Sequence, residues 1–172
     1  FPLHLSARLP KVALPADNLP TVAGVALGER LFHDPRLSRD SSLSCASCHD
    51  PDLAWGDGRT VAFGHSRKEL KRNAPTLINT GLQTHYFWDG RSASLEAQVE
   101  AVLLNVDEMR SEPDVITARL AGLAGYRDLF RAAFGDEAVT MARIAQAIAS
   151  FERTIVTQAN KFDAFAKGGT KA

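Results

Sequence analysis

Cys45-Ala46-Ser47-Cys48-His49 is the stretch that decides how this chain is read. Cys-x-x-Cys-His is the signature of c-type haem attachment. Two thiols separated by two residues each add to a vinyl group of one porphyrin, giving two thioether links. The histidine that follows is then held under the ring, where its imidazole binds iron. Other readings of paired cysteines fit less well. A redox-active pair normally sits in a βαβ pattern, and none surrounds this one. A zinc site needs more ligands nearby, and the chain has only these two cysteines. The motif therefore predicts one covalent haem c, anchored by Cys45 and Cys48, with His49 as the proximal iron ligand.

Composition limits what surrounds that haem. A chain of 172 residues suits one domain of ordinary size, and a 45% hydrophobic content supports a real core. Lys+Arg and Asp+Glu both number 20, so nothing argues for nucleic acid or an anionic membrane surface. The two propionates of a haem would tilt this balance acidic. No run approaches the eighteen or so apolar residues of a transmembrane helix. The sequence starts at Phe1 without a methionine or a signal-like segment, and reads as a mature or trimmed form. Bacterial c-type haem is attached outside the cytoplasm, which makes the periplasm the expected location.

Four prolines in residues 1–20, Pro2, Pro10, Pro15 and Pro20, predict an extended arm wrapped over the surface. From Thr21 onward, Val22, Val25, Ala26, Leu27 and Phe32 suggest a helix ending before Pro35. Residues 50–82 lack a helical or strand period and carry Pro51, Pro75 and several glycines. A loop this long in a compact domain is usually functional, and a haem would give it a surface to pack on. Leu95, Val99, Val102 and Leu103 keep helical spacing, with Ser92 or Ser94 as N-cap. Pro113 suits the first position of a helix running to about Leu120. Tyr126, Leu129, Phe130, Ala133 and Phe134 form a further stripe closed by Gly135. The longest helix is expected from Thr140, with Met141, Ile144, Ile148, Phe151 and Ile155 on its buried face. Residues 21–166 thus form the haem domain, and residues 167–172 a tail or truncated interdomain linker. The fold class is mainly α, a class I cytochrome c-like domain with long loops around the haem.

The far side of the iron decides function. A second strong ligand favours electron transfer, whereas an open or displaceable position favours chemistry on peroxide or oxygen. The candidate ligands are His4, His33, His65, His85, Met109 and Met141. Met141 belongs to an apolar stripe and reads as core. His33 ends a helix, which histidine suits as a cap. His65 lies in the long loop among polar residues that can swing without exposing apolar surface, but spacing alone leaves it open between iron ligand and solvent-facing histidine.

Several stretches together resemble a known family. They are Leu27-Gly28-Glu29-Arg30-Leu31-Phe32-His33-Asp34-Pro35-Arg36-Leu37-Ser38, Gly64-His65, Arg72-Asn73-Ala74-Pro75-Thr76, Phe87-Trp88-Asp89-Gly90-Arg91 and Asp107-Glu108-Met109. In order and spacing they resemble the N-terminal domain of bacterial di-haem cytochrome c peroxidases and MauG-type enzymes, over about Leu27 to Gly168. The resemblance implies that Cys45 and Cys48 hold the peroxidatic haem and that His65 is its displaceable distal ligand. It implies that Glu108 is the acid–base carboxylate, with Gln98 the amide beside it. Trp88 would lie between two haems, and Asn73 would bind a calcium ion at the domain junction. Heterolysis of an O–O bond needs a proton moved from the inner to the outer oxygen, which a carboxylate over the haem can do. Taken alone, Glu108 reads rather as a solvated loop residue and Trp88 as a core aromatic; only the collective match raises them.

One departure matters. Family members carry a second Cys-x-x-Cys-His domain, and this chain has one motif. It is a fragment, works with a second haem polypeptide or copy, or is a one-haem protein. The leading expectation is a peroxidase domain that reduces hydrogen peroxide with electrons from a small cytochrome or cupredoxin. The rivals are a bis-histidine electron carrier without peroxidase activity and a haem-based sensor.

Overall fold

A computed structural model describes residues 9–12, 14–158 and 160–166. His4 and the tail at 167–172 lie outside the described residues, as does most of the N-terminal half of the proline-rich arm.

Among the described residues, six helices follow one another: α1 (Val22–Phe32), α2 (Leu95–Leu104), α3 (Pro113–Ala121), α4 (Ala124–Phe134), α5 (Met141–Glu152) and α6 (Lys161–Ala166). Ser94 rather than Ser92 caps α2, and two threonines cap α1 and α5. Thr21, Ser94 and Thr140 each accept a backbone N–H from the third residue into their helix, at 3.0, 3.1 and 3.2 Å. Pro113 opens α3, and Gly135 closes α4 at a φ of +89°. At 12 residues α5 is the longest, as its stripe predicts, although it stops at Glu152 and leaves buried Ile155 beyond its end. The short α6 has no counterpart in the sequence reading, because six residues are too few to show a period.

The frame is the crossing of α1 on α5, with α4 against α1 and α2 against α5. Leu27, Leu31 and Phe32 of α1 and Ile144 and Ile148 of α5 are fully buried between them, each worth roughly 1.5–3 kcal/mol. The crossing is close because Gly28 sits at its centre. A Cβ there would lie 1.9 Å from the Ala147 carbonyl oxygen. Arg153, at the end of α5, grips Glu96 of α2 with two bonds of 2.7 and 3.0 Å. Asn18 of the arm donates to the same Glu96 at 2.6 Å and accepts from Ser150 at 3.1 Å. The described part of the arm is non-helical and pinned on α2 and α5 through these bonds.

The stretch from 50 to 82 has no long element but is not featureless. It holds single 3₁₀ turns at Pro51–Leu53, His65–Arg67 and Thr80–Leu82, and isolated antiparallel bridges Asp50–Gly56 and Phe63–Glu69. It is bent by residues in left-handed backbone that are not glycine: Ala54, Trp55, Ser66, Arg67 and Asn79. Such positions leave no Gly or Pro signature, which is why the turns are not legible in the sequence. Together with α2 and the end of α5, these turns wall a large cavity.

Candidate functional site

Both thiols and the imidazole leave one tight turn. Ser44 N–H donates to Ser47 Oγ at 3.0 Å, and the N–H groups of Cys48 and His49 both donate to the Cys45 carbonyl, at 3.1 and 3.0 Å. Cys45 and Cys48 are free thiols rather than a disulfide. Burial pushes both above the ordinary thiol pKa, so they are held protonated.

His49 is set up as a ligand. Its Nδ1 lies 2.9 Å from the Trp55 carbonyl oxygen. A carbonyl can only accept, so Nδ1 carries the proton and Nε2 keeps its lone pair. Burial also lowers the His49 pKa, against the pull of the Trp55 and Pro75 carbonyls and Asp57. The result is the neutral ring that iron requires. An aromatic wall fixes the ring from behind. Phe32 lies 6.4 Å from it, and Phe32, Trp55 and Phe151 pack mutually at 5.2–5.9 Å.

Cys45, Cys48 and His49 line a cavity of about 490 Å³, a size typical of cofactor sites. Its walls are largely apolar, with Ala62, Phe63, Leu77, Val99 and Leu103 among them. Two free thiols, a neutral imidazole with an open nitrogen and an apolar slot are the donor set and surroundings that haem c needs. The residues present fit the group.

The same cavity is lined by Gln98, Glu108, Trp88 and Asn73. Glu108 is presented by a turn built around Asn105. The Asn105 side-chain oxygen accepts Asp107 N–H at 2.9 Å. Its backbone carbonyl accepts Glu108 N–H at 3.1 Å, and its amide donates to Glu108 Oε1 at 2.9 Å. Burial raises the Glu108 pKa, opposed by Arg91 and the Asn105 hydrogen bond and reinforced by Asp107. Gln98 projects from α2, half-buried. Trp88 is 62% exposed, and its indole N–H donates to the Asn73 carbonyl at 2.9 Å. The Asn73 amide donates to the Arg59 carbonyl at 2.5 Å, with Asp57 Oδ1 at 3.5 Å. Asp57 Oδ2 is buried without a hydrogen-bond partner. Among the described residues, no group of three or more His, Cys, Asp and Glu is placed to hold a metal ion.

His65 is not brought into this set. It is absent from the cavity wall, and its Nδ1 lies 3.6 Å from Asp40 Oδ2. Its backbone N–H nevertheless donates to the carbonyls of both Asp107 and Glu108, at 3.2 and 2.8 Å. Gly64 beside it packs directly on that turn, where a Cβ would sit 1.9 Å from the Asp107 carbonyl oxygen. Of the other candidate ligands, His33 caps α1 and donates to the Glu29 carbonyl at 2.9 Å. His85 is exposed beside Thr84. Met141 packs on the core as its stripe implied, while buried Met109 borders the cavity.

Three contributors escape a reading of the sequence. Asn105 had a usable signal, since Asn-x-Asp is an Asx-turn pattern. The Trp55 carbonyl had none, because a backbone contact carries no residue code. Glu152, on the cavity wall at the end of α5, reads only as the polar neighbour of a core residue.

The chain is similar to known proteins along most of its length. The family model described as di-haem cytochrome c peroxidase matches residues 22–171. The methylamine utilization protein MauG of Methylorubrum extorquens is 44% identical over 166 residues, 96% of this chain and 47% of that protein. The cytochrome c551 peroxidase of Nitrosomonas europaea is 39% identical, over 85% of this chain and 44% of its own length. A crystal structure of a MauG-like protein associated with microbial copper homeostasis superposes with a TM-score of 0.92 at 33% identity. It covers 100% of this chain and 51% of the other. The chain thus spans about half the length of the relatives it matches. Its fold is the mainly helical, cytochrome c-like domain that the haem motif led one to expect. On the match to residues 22–171 and on these identities, the chain belongs to the di-haem cytochrome c peroxidase family.

Proposed function

We propose that this chain is a peroxidatic haem domain that reduces hydrogen peroxide to water in the periplasm, with electrons from a small cytochrome or cupredoxin. One observation carries the reading: Glu108 and Gln98 line the same cavity as Cys45, Cys48 and His49. Haem c held by those three residues supplies the iron that passes electrons to the O–O bond. The chain's own groups handle the protons. The Glu108 carboxylate takes the proton from the inner peroxide oxygen and returns it to the outer one, which leaves as water. Gln98 offers an amide donor to the oxygens. Two protons and two electrons per peroxide complete the conversion to two waters.

Residues 21–166 form the haem domain in this reading, residues 1–20 an arm and residues 167–172 a tail or truncated interdomain linker. Trp88 stands where electrons from a second haem domain, or from a second copy of the chain, would enter. His65 stands off the cavity wall here and serves as a displaceable distal ligand only by swinging in; its backbone bonds to the Glu108 turn link its position to that of the acid–base. Asn73, with Asp57 nearby, contributes to a calcium site. Calcium takes 6–8 oxygen ligands, so a second haem domain would have to supply the remaining oxygens.

The test is Glu108→Gln in the haem-loaded protein. Peroxide turnover is expected to fall by about 10²–10⁴, the usual worth of a general acid–base, with the haem absorption and EPR spectra unchanged. Retained turnover overturns the assignment. A haem that stays six-coordinate and inert to peroxide in both redox states replaces the peroxidase by an electron carrier.

A further inference from the structure

Glu152 is a buried carboxyl that the peroxide chemistry does not use. It ends α5, is 6% exposed and lines the cavity on the Cys45 side. Its Oε2 is buried without a hydrogen-bond partner. The nearest cation in sequence, Arg153, is spent on a different acid: both its terminal nitrogens bind Glu96. The charged and titratable groups that act on Glu152 are few. They are Arg153 on its own helix, Glu96 on α2, the Tyr86 hydroxyl, and Cys45 in the haem-binding turn. Tyr86 donates to the Gln83 carbonyl at 2.9 Å and so does not bond Glu152. Cys45 ceases to titrate once it is a thioether. An unpaired carboxylate is costly in such a place, and it escapes the cost by taking a proton.

We propose that Glu152 is the proton partner of haem reduction: it takes up one proton when the haem takes up one electron, and releases it when the haem is oxidised. The inference rests on the reading that haem c fills this cavity. Oxidised haem carries one more positive charge than reduced haem. That charge, in a medium of low dielectric, stabilises a neighbouring carboxylate, and reduction removes the stabilisation. In the coupled step, a one-electron donor protein is oxidised and the haem is reduced. The Glu152 carboxylate and a solvent proton form one O–H bond, and no other bond changes. Linkage makes the effect reciprocal, so the affinity of the haem for an electron must depend on pH. Burial pushes the Glu152 carboxyl up to about 8, against the pull of Arg153 and with the push of Glu96.

The experiment is a spectroelectrochemical titration of the haem-loaded protein between pH 5 and 9, compared with Glu152→Gln. Intact mass first establishes that haem is attached; a protein without it contradicts the haem reading itself. At a fixed applied potential, the reduced-to-oxidised ratio of the unmodified protein is expected to fall up to tenfold per pH unit around neutrality. The E152Q protein is expected to change less than about twofold over the same unit. Equal pH dependence in the two proteins overturns the proposal. Should E152Q not take up haem, a second measurement decides. Reduced-minus-oxidised infrared difference spectra of ¹³C-glutamate-labelled protein carrying E108Q are expected to show an isotope-shifted protonated-carboxyl band on reduction. Its absence overturns the proposal equally.

Discussion

At the scale of single residues, the site is a set of side chains whose protonation states are chosen by burial and by one hydrogen bond each. His49 is neutral because it is buried, and its tautomer is set by the Trp55 carbonyl. Glu108 is the reverse case, a carboxyl raised by burial and partly restored by Asn105. The sign of a change at Asn105 follows. Its amide bonds the ionised carboxylate, so removing it raises the Glu108 pKa further. Fewer molecules then hold the base form that accepts a proton from peroxide. Asn105→Ala is expected to move the acid limb of the turnover-against-pH profile to higher pH. At neutral pH it should cost about tenfold in rate, the worth of one charge-assisted hydrogen bond. An unshifted acid limb would show that Asn105 does not hold the working carboxylate. Cys45, Cys48 and His49 were legible because spacing states their chemistry. Glu108, Gln98 and Trp88 were legible only through a family resemblance, since a glutamate and an amide in isolation fit any surface.

At the scale of elements, two glycines carry the close approaches on which the site depends. Gly28 lets α1 lie on α5, and Gly64 lets the 64–68 turn lie on the turn that presents Glu108. The second contact bears on the proposed role of Glu108. His65 N–H bonds both Asp107 and Glu108 carbonyls, and Lys68 Nζ meets Asp107 at 2.5 Å. Gly64→Ala would push a methyl into the Asp107 carbonyl, an overpacking worth about 1–3 kcal/mol. Because the strain falls on the Glu108 turn, peroxide turnover is expected to fall at least about tenfold while intact mass still reports one attached haem. Normal turnover in that variant would mean that the two turns move independently. The caps, proline and closing glycine marked the helix ends in sequence. The 3₁₀ turns of 50–82 were hidden, because left-handed residues such as Trp55, Ser66 and Arg67 show no preference for that backbone.

At the scale of the whole molecule, the family relatives are about twice as long as this chain, and the proposed function needs a route by which electrons reach the cavity. Among the described residues, no helix is long and apolar enough to cross a membrane. Trp88 combines 62% exposure with a place on the cavity wall, the combination expected of an entry point. Trp88→Ala is expected to lower turnover with a protein donor by at least about tenfold, a loss of roughly 1.4 kcal/mol. Turnover with a small-molecule reductant should hardly change. Equal losses with both donors would assign Trp88 to the cavity wall alone. The sequence by itself determined the cofactor and the helices from α1 to α5, because thioether spacing and apolar periodicity are local properties of the chain. Only the tertiary structure decided that His65 stands off the cavity, that Asn105 orients Glu108 and that Glu152 is left unpaired beside Cys45. Those outcomes depend on which distant turns share one wall, and on where Arg153 finds its partner, and neither is written in any single stretch.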